Sequence, residues 1–271
     1  EFYEKFMNNL FVAFAIVSII KDKNKLLEKV KFITPSIGKT IMLHPMIQEI
    51  ALVDMKPSTS NCKTLCQSIK DVCLLHGIDV PYYKVMFQTV ENIVKLIKKD
   101  NLRFYLLFLE DVFPYMEKYH YTQGMNLIIN EMSNILEEQF PESNNDKALL
   151  LDYKAALEPK PEKAIKLEKE AINLLSDITS DNAHLAANLY ANLGGLYHIT
   201  QKNHLAYESM KMGISILKEY NLLCTNDCIP QICNYASLLT DMGKIEDALN
   251  ILNEIEQIVK ETHSEISSDY A

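Results

Sequence analysis

Ala164, Ala206 and Ala248 follow one another at a fixed interval of 42 residues, and this period constrains the fold more than any other feature of the chain. A repeat of that length is one supersecondary unit. Where the unit is rich in helix formers and keeps one small residue in place, it is a helix hairpin whose two helices must come close at that residue. A single hairpin buries only part of its apolar face, so neighbours have to stack, which gives a solenoid with one face built from the first helix of each pair. The expectation is an all-α fold, a right-handed α-solenoid of antiparallel helix pairs. Three clear repeats and a polar tail fall in 142–271, and degenerate helical repeats fall in 58–141.

Composition fits long helices. Seven glycines and nine prolines in 271 residues leave few breakers, and Leu, Ile, Lys, Glu, Ala and Asn dominate. A net charge of -9 lacks the basic footprint that a phosphate backbone requires, so no direct nucleic-acid contact is expected. Six cysteines without a signal peptide at the start point to reduced thiols and a cytoplasmic location. Residues 10–20, LFVAFAIVSII, form the most apolar run but fall short of the roughly 20 residues of a membrane span. They read as a buried helix rather than a membrane segment. Left exposed, that helix would favour a homo-oligomer. The chain opens on Glu1 without a methionine, so a piece of a longer polypeptide is expected.

From the amino terminus, two β-prone runs at 30–34 and 40–43 flank a Pro-Ser-Ile-Gly-Lys turn and predict a hairpin. Met46, Ile47, Ile50, Ala51 and Val53 then return to helical spacing until Pro57. Ser58, Thr59, Ser60 and Asn61 supply N-cap candidates for a helix over 62–76 that ends at Gly77. Pro81 opens a helix to about residue 99. A third runs over 102–119 with Pro114 inside it and a predicted kink, and a fourth over 122–139. The polar loop 141–146 reads as a joint between subdomains.

Two stretches resemble known families. Helix, hairpin and MLHPMIQEIA over residues 26–53 resemble the end of the winged-helix domain of NB-ARC ATPases, the switch proteins of the STAND class, which makes 1–57 a winged-helix remnant. In that family a Met-His-Asp motif stands where Leu43-His44-Pro45 stands here, and its histidine reaches the phosphates of bound ADP. The resemblance therefore implies a nucleotide contact for His44 in the full-length protein. Leu43 and Pro45 depart from the motif, and Pro45 supplies no carboxylate. No GxxxxGK[ST] loop occurs. ADP or ATP is thus implied for an upstream domain, and neither a cofactor nor ATP hydrolysis is expected in this chain.

Residues 187–220, ANLYANLGGLYHITQKNHLAYESMKMGISILKEY, resemble one tetratricopeptide repeat (TPR). Leu193, Gly194, Tyr197 and Ala206 stand at its spacing, while Tyr190, Met210 and Gly213 replace its usual tryptophan, phenylalanine and alanine. Together with NYASLLTDMGKIEDAL and the 42-residue period, residues 145–262 are similar to the repeats of kinesin light chains and of NB-ARC proteins that carry them. In related domains an asparagine just before the leucine of the first helix contacts the backbone of a bound peptide. Asn192 and Asn234 stand at that place.

The residues themselves give a polar strip. Asn188 and Asn192 are four apart on one predicted helix, Asn234, Ser237 and Asp241 follow on the next first helix, and His198 stands at its end. An amide both donates and accepts, so such a row can grip an extended peptide regardless of its side chains. The alternative, that Asn192 and Asn234 bond neighbouring helices and only tie the repeats together, stays open. Cys62, Cys66 and Cys73, and Cys224, Cys228 and Cys233, lack the histidine spacing of a zinc site and read as buried thiols, with no metal. Tyr82, Tyr83, Tyr105, Tyr115, Tyr119 and Tyr121 read as half-buried packing residues. No nucleophile stands with a base, so no catalytic residue is assigned. The expected function is a peptide- or protein-binding sensor and relay of a bacterial NB-ARC-type signal-transduction protein, with His44 at the hinge between modules. A peptide-pheromone receptor solenoid of a transcriptional regulator and a plain scaffold or assembly adaptor are the alternatives.

Overall fold

The computed structural model describes residues 33–35, 41–43, 58–60, 62–63, 66–67, 69, 87–88, 90–95, 97–175, 177–223 and 228–262. The chain comprises two compact units, Glu1–Ile135 and Leu136–Ala271. Among the described residues the named elements are two short strands followed by eight helices: α1 Leu102–Lys118, α2 Thr122–Gln139, α3 Asn144–Leu157, α4 Pro161–Leu174, α5 Ala183–Ile199, α6 Asn203–Glu219, α7 Ile229–Asp241 and α8 Ile245–Thr262.

Strands β1 (Ile33–Pro35) and β2 (Ile41–Leu43) pair antiparallel, with Ile33 opposite Leu43 and Pro35 opposite Ile41. Among the described residues no winged-helix domain is seen around this ladder, and apart from it the named elements are helical. The apolar run 10–20, His44, the helix after Pro45 and Gly77 lie outside the described residues.

In the first unit a polar clamp starts α1. Thr59 Oγ1 and the Ser60 amide donate to one Asp100 oxygen at 2.7 and 2.9 Å, and the Asn101 amide donates to Thr59 Oγ1 at 2.8 Å. Led by the Thr59 bond, these donors hold the Asp100 carboxyl well below the usual carboxylate range. Asn101 then caps α1 by accepting from the Phe104 amide at 3.2 Å, which satisfies one of the orphan donors of the first turn. Tyr105, Leu106, Phe108, Leu109, Val112, Phe113 and Met116 of α1 are buried. They lie on one broad face of the helix, so α1 is strongly anchored in the core. Glu91 is fully buried yet satisfied, accepting from Tyr121 Oη at 2.6 Å, Gln123 Nε2 at 3.3 Å and Lys95 Nζ at 3.2 Å.

In the second unit each helix packs on its neighbours in order. The hairpins are α3/α4, α5/α6 and α7/α8, and each second helix packs on the next first helix, α4 on α5 and α6 on α7. This is the stacking of an α-solenoid. Ala164, Ala206 and Ala248 are 1%, 0% and 3% exposed, as a helix crossing requires. Leu193, Gly194 and Tyr197 are buried in α5. A Cβ on Gly194 would run into Met210 Cγ and lie 3.2 Å from the Ala206 carbonyl oxygen, so glycine there is what lets the second helix close in.

The hairpin turns repeat as well. Gln201 and Gly243, one period apart, both adopt positive φ, 60° and 75°. After each, an amide reaches back five residues: Lys202 to the Tyr197 carbonyl and Lys244 to the Leu239 carbonyl, each at 2.8 Å. These are Schellman caps, which satisfy the last carbonyls of α5 and α7. Repeat-to-repeat ties run alongside. Tyr220 Oη donates to the Ile178 carbonyl at 2.7 Å, a span of 42 residues, and Lys218 pairs with Glu254 at 2.6 Å.

Candidate functional site

The first helices α3, α5 and α7 are neighbours in the second unit, and the six polar residues predicted from sequence stand on two of them. Asn188, Asn192 and His198 belong to α5, and Asn234, Ser237 and Asp241 to α7. Asn192, Asn234, Ser237 and Asp241 are exposed, whereas Asn188 and His198 are half-buried.

Several of these side chains bridge from one first helix to the next. Asn192 Nδ2 donates to Asp152 Oδ1 of α3 at 2.9 Å. Asn188 Oδ1 accepts from Gln231 Nε2 of α7, and its Nδ2 lies 3.4 Å from His184 Nδ1. His198 Nε2 lies 3.4 Å from Asp241 Oδ2, an ion pair when the imidazole is protonated. Their exposures of 41% and 53% mean that solvent screens it, so it fixes orientation more than stability. Asn192 and Asn188 thus do tie neighbouring helices. Among the described residues no hydrogen bond engages the Asn234 or Ser237 side chain, and both are exposed beside Cys233.

Sequence reasoning missed Asp152, Gln231 and His184. The first two sit 40 and 43 residues from their partners, so the repeat period was the signal that would have found them. The chemistry of the face follows from its side chains. Amides, a hydroxyl and two carboxylates offer donors and acceptors to a peptide backbone, and no lysine or arginine among them favours an anion.

Cys62, Cys66 and Cys228 are buried, and burial pushes the Cys62 thiol up to about 12. Cys233 corrects the expectation of uniformly buried thiols. It is exposed because it shares a face of α7 with Ser237 and Asp241, four and eight residues on. Cys73 and Cys224 lie outside the described residues. Of the tyrosines, Tyr105 is buried and Tyr115, Tyr119 and Tyr121 are half-buried, while Tyr82 and Tyr83 lie outside the described residues. Phe87 stacks on Tyr121 at 5.2 Å, which makes this cluster packing rather than an open surface.

An open groove of about 280 Å³ lies between α6 and α8, lined by Lys211, Ile214, Lys218, Asp247 and Glu254 among others. Its two charged walls are bridged by the Lys218–Glu254 pair. Among the described residues no group of three metal-ligating side chains converges, and no helix is long and apolar enough to cross a membrane. No family model matches the chain, and no curated protein matches it.

Proposed function

We propose that this chain is a protein- or peptide-binding helical-repeat module whose ligand lies along the first-helix face. The observation that carries the reading is the row of exposed Asn192, Asn234, Ser237 and Asp241 on adjacent first helices, with the Asn234 amide uncommitted. An extended segment would give its carbonyls to the Asn234 amide nitrogen and its N–H groups to the amide oxygen and to Asp241, which binds main chain and leaves sequence preference to neighbouring pockets. Asn192, already bonded to Asp152, would either share its amide oxygen or exchange partners on binding.

In this reading the module is TPR-like and serves as the sensor of a switch protein of NB-ARC type, relaying occupancy to an ATPase elsewhere in the polypeptide. The relay is a population shift, because ligand moves the switch only by as much as it binds one arrangement better than the other. His44 would contact the nucleotide phosphates and couple the two. The reading rests on the resemblances over residues 26–53 and 145–262 and on the stacked hairpins of the second unit.

The test is a displayed library of random peptides selected on the immobilised chain, followed by Asn234→Ala and Asn192→Ala/Asn234→Ala. Losing one committed amide pair should weaken a selected peptide about tenfold, and losing both should weaken it about a hundredfold. The melting temperature of Asn234→Ala should stay within a degree or so of the parent, because a surface change away from packing is worth little. A large fall in melting temperature with unchanged affinity would assign these asparagines to architecture and overturn the reading.

A further inference from the structure

The crossing of α3 and α4 departs from its own repeat. Asp152 lies one 42-residue period before Gly194, and Glu168 lies one period before Met210. A repeat later the same two places hold Ala236 and Leu252. In the middle repeat these positions meet directly, since a Cβ on Gly194 would run into Met210. The first repeat thus puts two carboxylic acids where the others put a small residue and a large apolar one. The Asp152 and Glu168 side chains thus meet within hydrogen-bonding reach at this crossing, Glu168 is only 2% exposed, and Asn192 of α5 donates to Asp152 Oδ1 at 2.9 Å.

Two carboxyl groups hydrogen-bond to each other only while one of them carries a proton, since both ionised forms are acceptors and repel. Asn192 donates to Asp152 Oδ1, so that oxygen serves as an acceptor in the closed pair. Burial holds the Asp152 carboxyl above the usual carboxylate range, with the bonds from Glu168 and Asn192 pulling the other way. On α3, Asp146 bonds Ser143 and Lys147 bonds the Pro141 carbonyl. On α4, Lys169 lies over the Tyr197 ring at 5.6 Å. On α5, His184 faces Asn188 and His198 faces Asp241. Lys154 on α3 and Glu162, Lys163, Lys166 and Glu170 on α4 are the remaining charged side chains of the two helices.

We propose that Asp152 and Glu168 form a proton-operated latch between α3, α4 and α5. With one shared proton the pair closes the α3/α4 crossing and fixes Asn192. When that proton is lost to solvent, two carboxylates face each other at a helix crossing, the crossing opens, and the Asn192 amide is released onto the first-helix face. The latch operates whether or not that face binds a peptide.

The sign of its pH dependence is opposite to ordinary acid denaturation. The folded pair keeps a proton that unfolded carboxyls give up, so its stabilising contribution is complete at low pH. That contribution is lost as pH rises from the free-carboxyl range through the ionisation of the pair. Carboxyl-carbon NMR of the intact chain reads this directly. One of the two side chains should keep its proton above the free-carboxyl range, and ordinary titration of both would overturn the latch.

Variants give a second readout. Wild-type amide protection factors in α3 and α4 should fall about tenfold as pH rises from the free-carboxyl range through the ionisation of the pair. Glu168→Gln, which supplies a permanent N–H donor, should flatten that profile. Asp152→Gly/Glu168→Met, which copies the crossing of the middle repeat, should flatten it too and raise the neutral-pH melting temperature by about 4 °C. A double variant that keeps the wild-type pH response would also overturn the proposal.

Discussion

Gly213→Leu is expected to destabilise the second unit by about 3 kcal/mol, at the upper end of the usual cost of overpacking. Gly213 faces α5 from α6, where a Cβ would lie 3.0 Å from the Ala187 carbonyl oxygen and 3.5 Å from Tyr190 Cβ. A backbone oxygen in a helix cannot swing aside as a side-chain end can, so added atoms must push the two helices apart. The buried surface of Ala187, Leu217 and Ala206 would then lose contact across the whole hairpin. Gly195→Leu is the matched control. Nothing lies within 4 Å of its Cβ position, so it should leave stability unchanged or improve it through helix propensity. Urea midpoints of the two variants measure the difference, and amide exchange in α5 and α6 localises it. Equal midpoints would mean that α5 and α6 do not cross as closely as described.

Phe113→Ala should cost the first unit more, about 3–5 kcal/mol. Phe113 is completely buried on α1, on the same broad buried face as Leu109, Val112 and Met116. Removing the ring sacrifices its transfer free energy and leaves a cavity that a core helix cannot collapse into. Phe113→Leu, which keeps most of the volume, should cost under about 1.5 kcal/mol. The comparison is read from urea unfolding followed at the α1 amides. A similar small loss for both substitutions would place Phe113 at a yielding surface rather than in a packed core.

Much of the helical architecture was legible because the second unit repeats. Ala164, Ala206 and Ala248 marked the crossings, and Leu193, Gly194 and Tyr197 marked the buried side of α5. The helices expected over 102–119 and 122–139 appear as Leu102–Lys118 and Thr122–Gln139. Asn192 and Asn234 could be placed on first helices from the period alone.

What stayed hidden was which side chains commit to one another. Asp152 and Glu168 look like solvated helix charges until the period aligns them with Gly194 and Met210, a comparison that needs the crossing geometry to be meaningful. Local spacing cannot reveal the bond from Asn192 to Asp152, which spans 40 residues. Cys233 was read as buried because cysteine usually is, and its actual face is set by the rotation of α7. Gln201 gave no sign that it would take the positive φ that Gly243 takes one repeat later, since glycine advertises that conformation and glutamine does not.

The account turns on whether the first-helix face is where ligand lands, and Cys233 reports on it from within that face. Its thiol is exposed and stands next to Asn234, whereas Cys62, Cys66 and Cys228 are buried. Alkylation of the intact chain, resolved by fragment mass spectrometry, should therefore modify Cys233 well ahead of those three. With a saturating library-selected peptide, the Cys233 rate should fall at least about tenfold, as expected when a bound segment leaves the thiol exposed only in the unbound fraction. At the same peptide concentration, protection should be lost in Asn192→Ala/Asn234→Ala. An unchanged Cys233 rate while the peptide is demonstrably bound would contradict the assignment of this face.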